Sequence, residues 1–81
     1  LKLPFKFKEQ TQVVVQSSFQ QNFEFNILLS DESILETVYK GKVDVGEKIF
    51  VIDSSKFQNG IYYLAITTSF QKILRKIIVD N

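Results

Sequence analysis

The sequence predicts an all-β fold, an immunoglobulin-like two-sheet β-sandwich of about seven short strands, and three observations carry that prediction. Apolar and polar residues alternate in stretch after stretch, the period of two that puts one row of side chains on each face of a strand. Gly, Asn, Asp and Ser interrupt those stretches at short intervals. No long window carries the i, i+3, i+4, i+7 spacing of an amphipathic helix.

Taken in order, Phe5 to Lys8 reads as a first strand, with Phe5 and Phe7 opposed to Lys6 and Lys8. Thr11 to Gln16 follows, centred on Val13, Val14 and Val15. The clearest strand is Asn22 to Leu29, where Phe23, Phe25, Ile27 and Leu29 point one way and Glu24 and Asn26 the other. A Ser30-Asp31-Glu32-Ser33 turn then leads into Ile34 to Lys40, rich in β-branched and aromatic residues. Its short connection predicts a hairpin with the Phe23 strand. Gly41 and Gly46 bracket Lys42 to Val45, read as a loop or weak edge segment. Glu47 to Ile52 is the next strand, and the run from Asp53 to Gly60 is a turn-rich connection into Ile61 to Thr68. The last strand runs from about Gln71 to Val79. Pattern alone leaves the strand order open.

Composition narrows the function. At 81 residues the chain is read as a single domain, 1–81, excised from something longer. At this length about 60% of the unfolded surface can be buried, enough for one modest core. Eight Phe and three Tyr supply that core. Cys and His are both absent, which removes disulfides, thiolate metal sites, thiol nucleophiles and every Ser-His-Asp or Cys-His arrangement. The expectation is therefore not an enzyme, with no cofactor and no metal. Ten Lys plus Arg against nine Asp plus Glu give +1, far from a nucleic-acid-binding footprint, so no nucleic acid is expected as partner. No apolar run approaches membrane-spanning length. Asp31-Glu32 and Asp44 with Glu47 lack the Asp-x-Asp-x-Asp-Gly spacing of a calcium loop. Asp53-Ser54-Ser55 has a hydroxyl beside a carboxylate and no base, which is turn chemistry.

The informative stretch is Phe57-Gln58-Asn59-Gly60-Ile61-Tyr62-Tyr63-Leu64-Ala65-Ile66, followed by Gln71-Lys72-Ile73-Leu74-Arg75-Lys76-Ile77-Ile78-Val79. An apolar anchor, a short turn, Gly-x-Tyr, an alternating strand and a final basic, β-branched strand resemble the C-terminal sorting domain of the type IX (Por) secretion system of Bacteroidota. The resemblance covers Ile52 to Val79, and Phe25 to Tyr39 more loosely, while the first twenty residues match poorly. Leu3-Pro4 stands where members have Asn-Pro, and Val79-Asp80-Asn81 ends the chain where many end on lysine. The resemblance implies a non-catalytic sandwich recognised by outer-membrane translocon or shuttle proteins, and often cut off by a sortase-like peptidase. The implied route is periplasm in transit, then the outer-membrane surface or secretion.

Carried over by residue, the resemblance points to Gly60 and Tyr62 from Gly-x-Tyr and to Arg75, Lys76, Ile77, Ile78 and Val79 from the last strand. Each also has an architectural reading. Gly60 follows Asn59 in a turn dipeptide that favours positive φ. Tyr62, five residues after Phe57, resembles a tyrosine corner whose hydroxyl bonds back to backbone. Alternation puts Lys72, Leu74, Lys76 and Ile78 on one face and Ile73, Arg75, Ile77 and Val79 on the other, so neither face is cleanly apolar. An edge strand with charges that block aggregation explains that mixture, as does a docking strand for β-augmentation or charge pairing. Two rival readings stand beside sorting: a generic immunoglobulin/fibronectin-like structural or adhesion module, and a carbohydrate-binding module. The last requires Tyr39, Tyr63 or an outlying Phe to be exposed, whereas Phe at alternating strand positions belongs in the core.

Overall fold

A computed structural model describes residues 6–81 of the chain. Seven strands run through them: β1 Lys6–Phe7, β2 Gln10–Ser17, β3 Gln21–Leu28, β4 Ile34–Val43, β5 Gly46–Asp53, β6 Gly60–Thr68 and β7 Lys72–Val79. A 3₁₀ turn, Ser54–Lys56, joins β5 to β6. The all-β reading holds, and the strands form two sheets of unequal width. One has the order β1-β7-β6-β3-β4, and the other is the pair β2-β5.

The predicted hairpin is present, with β3 and β4 antiparallel, Phe23 opposite Gly41 and Phe25 opposite Tyr39. The register slips between Phe25 and Asn26 and again between Ile27 and Leu28, leaving Val38 and Leu35 unmatched on β4. Every other pairing is antiparallel except β1 with β7, which runs parallel, Lys6 beside Ile78 and Phe7 beside Val79.

Three expectations need correction or sharpening. Among the described residues the first strand is Lys6–Phe7 and stops before Lys8; Phe5 lies outside the described residues, as do Leu3 and Pro4. Of the two alternatives for Lys42 to Val45, edge segment holds at Lys42 and Val43 and turn at Asp44 and Val45: edge strand β4 continues through Gly41, because Gly41, Lys42 and Val43 keep pairing with Phe23, Asn22 and Gln21 and Val43 is buried in the core. Leu29 does not share the buried row of Phe23, Phe25 and Ile27. It follows the end of β3 and is exposed, its N–H bonded to Ser33 O across the turn, while Leu28, opposite Tyr63 and outside that row, is buried.

The core lies between the two sheets. Phe23, Phe25 and Ile27 from β3, Tyr62, Leu64 and Ile66 from β6, and Ile77 and Val79 from β7 meet Val13, Phe50 and Ile52 from the narrow sheet. Phe50 is its aromatic centre, stacked on Phe23 at 5.8 Å and met edge-on by Phe25 at 5.4 Å. Each such pair contributes about 0.5–1.5 kcal/mol beyond burial. Phe19 and Phe70 are the exceptions to the rule that Phe is core, because both sit in turns and are exposed.

The two ends of the sandwich differ. Turns at 18–20, 44–45 and 69–71 make one, the loop end. The 3₁₀ turn, the 29–33 turn and the end of β7 make the other, the terminal end.

Candidate recognition site

The register between β6 and β7 brings the Gly-x-Tyr motif against the last three strand residues: Gly60 opposite Val79, Ile61 opposite Ile78, Tyr62 opposite Ile77. Gly60 has φ +156°, on the border of the region that L side chains rarely adopt, and open space where a Cβ would sit, so its backbone rather than crowding favours glycine. Tyr62 is buried, its ring 5.7 Å from Phe57, and its hydroxyl donates to Gln58 O at 2.6 Å. This is the back-bond that a tyrosine corner makes. Ile77 and Val79 are each 1% exposed, and Ile78 is half-buried between β1 and β6 on the outer face. Gly60, Tyr62, Ile77 and Val79 therefore hold the fold together at the terminal end.

The cations occupy the other half of β7. Lys72, Arg75 and Lys76 are exposed. Ion pairs among the described residues join Lys6 to Asp80 at 2.8 Å and Lys56 to Glu36 at 2.6 Å, so these three cations have no carboxylate partner there. Lys72 and Lys76 flank Leu74, itself 40% exposed, on the outer face. Arg75 lies on the same face as Ile77 yet reaches solvent, and Ile73 is half-buried. Among the described residues, β1 covers the far edge of β7 at Ile78 and Val79 alone. The charges of the strand thus fall where the described residues place no strand on its outer edge, and its last three residues, Ile77 to Val79, are apolar.

One residue that the sequence reading passed over organises the terminal end. Asn81 Nδ2 donates to Ser54 O at 2.9 Å and to Phe57 O at 3.3 Å, and its Oδ1 accepts from Glu9 N at 2.9 Å. Its own N–H donates to Asn59 Oδ1. Asp80 N–H donates to Phe7 O, and Ser54, fully buried, donates from both N and Oγ to Glu9 O. The end of β7, the start of β2 and the 3₁₀ turn are thereby stitched through one amide. A lone Asn after a strand carries no periodic signal; its position beyond the last apolar residue was the available clue.

The acidic loop residues are engaged locally. Asp31 Oδ1 accepts from the N–H and hydroxyl of Ser33, which lower its pKa, and Ser55 does the same for Asp53. The hydrogen bond from Lys6 and then its charge lower that of Asp80. Asp44 Oδ1 accepts from Gln20 Nε2. Among the described residues no three potential ligands gather around one point, and no helix is long and apolar enough to cross a membrane.

Compared with known families, residues 8–80 match the secretion system C-terminal sorting domain. The chain belongs to that family. The match takes in β2 and β3, so the reading that the first twenty residues fit poorly is corrected from residue 8 onward. The Leu3-Pro4 difference precedes the matched span. Neither a curated protein nor a solved structure matches the chain. As a sorting domain it is a non-catalytic export signal of type IX secretion, and it implies interaction with that machinery and export across the outer membrane to the surface or the medium.

Proposed function

We propose that the export machinery reads this sorting domain at the Lys72–Lys76 half of β7, with Lys72, Arg75 and Lys76 as the contacting cations. The observation that carries this reading is that, among the described residues, Lys72, Arg75 and Lys76 have no carboxylate partner and no strand pairs with their outer edge of β7. An incoming strand or acidic surface gains hydrogen bonds to the edge and charge pairing at once. Gly60, Tyr62, Ile77, Ile78 and Val79 act by presenting that stretch rather than by touching the partner.

The partners in this reading are outer-membrane translocon and shuttle proteins, met after periplasmic transit, and a sortase-like peptidase where the domain is removed. The domain performs no chemistry itself, in keeping with a sequence that has neither His nor Cys. It forms a single unit at the C-terminal end of a longer secreted protein.

The test fuses residues 1–81 to a periplasmic reporter in a bacterium with type IX secretion and compares it with Lys72→Glu/Arg75→Glu/Lys76→Glu. Surface delivery is expected for the parent and lost in the variant, with both folded by circular dichroism. A charge-reversed fusion exported as well as the parent rejects the β7 assignment and places recognition elsewhere on the domain.

A further inference from the structure

The loop end carries an aromatic pair that neither the core nor β7 uses. Phe19 and Phe70 meet edge to face, 5.3 Å between centroids and 81° between planes, and they are 46% and 75% exposed. Turn chemistry accounts for their neighbours. Thr68 Oγ1 accepts from the N–H groups of Phe70 and Gln71, and Ser17 Oγ donates to Phe19 O. It does not account for two large apolar rings in turns where polar residues serve as well.

The rings form a ridge between two shallow clefts. Gln20, Gln21, Asn22, Lys42 and Ser69 line one, and Gln16, Ser17, Ser18, Thr68 and Gln71 line the other. Lys42 is the one charged side chain among them. Two of the amides are already oriented: Gln20 Nε2 donates to Asp44 Oδ1 at 2.8 Å and Gln21 Nε2 to Ser17 Oγ at 2.9 Å. Each therefore keeps Oε1 as an acceptor without first losing side-chain freedom.

We propose that the loop end binds a glycan, with a sugar ring laid on Phe70, its hydroxyls bonded by the flanking amides and Lys42 favouring an acidic or phosphorylated sugar. A sugar has an apolar C–H face for the ring and a rim of hydroxyls that both donate and accept, matching a ridge bordered by amides and hydroxyls. A wholly apolar partner leaves those amides desolvated and unpaired. An anionic membrane calls for a cluster of cations where the clefts hold one.

The experiment applies the chain to a glycan array of neutral, uronic and phosphorylated oligosaccharides. Calorimetry then compares the best-bound glycan on the parent, Phe70→Ser, Phe19→Ser and Lys42→Gln. Binding is expected, about tenfold weaker in Phe70→Ser, with Lys42→Gln weakening acidic glycans and sparing neutral ones. Both Phe variants replace exposed rings, and circular dichroism checks each fold. Three results overturn the proposal: a silent array, affinity unchanged in both Phe variants, or an apolar end that instead binds phosphatidylcholine–phosphatidylglycerol vesicles or drives self-association. Export of the Phe70→Ser fusion stays at the parent level, which separates this site from the one on β7.

Discussion

The two halves of β7 share one strand and one alternation, yet their surroundings differ. At Ile78 and Val79 the strand has neighbours on both sides, and Ile77 and Val79 reach the core; from Lys72 to Lys76 it has β6 on one side, and on the other no partner among the described residues. The charged side chains of the strand all fall in the second stretch, where Ile73 still packs against the core. Arg75 and Ile77 lie on one face, and enclosure separates them. A strand can therefore serve the core along part of its length and a partner along the rest, and its composition reports where the change falls.

Ile77→Ala attacks the enclosed half, removing most of a side chain that is 1% exposed. It is expected to cost about 2–5 kcal/mol in urea unfolding. A cost near zero would erase the distinction between the halves. Gly60→Ala forces a Cβ onto φ +156° opposite Val79 and is expected to lose about 1–3 kcal/mol by the same measurement. Tyr62→Phe deletes the bond to Gln58 O, with an expected loss of about 1 kcal/mol and an unchanged near-ultraviolet spectrum of the core. Lys72→Gln/Arg75→Gln/Lys76→Gln is expected to shift stability by less than about 0.5 kcal/mol while reducing reporter export. Export unaffected by that triple change places recognition elsewhere.

The smallest effect is that of pH. Asp31, Asp53 and Asp80 have folded pKa values depressed by Ser33, Ser55 and Lys6. Each binds its proton less readily folded than unfolded, so its contribution is complete above the ordinary carboxylate range. It is lost as pH falls through the depressed values. Lys56 has the opposite sign: Glu36 raises its pKa, so its contribution is present below the ordinary lysine range and lost as pH rises through the raised value. All four groups are exposed, so thermal melts across the neutral range should be flat, with a shallow decline at the acid edge. A steep neutral dependence contradicts these assignments.

The elements legible in the sequence were those whose signal is a period. The β3 row of Phe23, Phe25 and Ile27 was readable because alternation reports a face directly. The tyrosine back-bond was readable from the spacing of Phe57 and Tyr62. Alternation does not report which strands become neighbours, so the parallel β1–β7 pair was out of reach. It also over-ran the end of β3, since Leu29 continues the pattern while the chain is already turning. Gly41 misled in the other direction: a glycine inside a strand reads as a break, and here it pairs within the ladder. Phe19 and Phe70 escaped the core rule because that rule assumes a strand, and turns impose no face.

The parallel pairing of Lys6–Phe7 with Ile78–Val79 joins the first described strand to the last. Contacts so distant along the chain close late and slowly, because the intervening loop entropy is lost before the contact forms. Until β7 has been synthesised and laid down, β6 is an edge and β1 has nothing to pair with. The surface that β7 offers therefore exists only on a folded domain, and a partner that reads it tests folding in the same step.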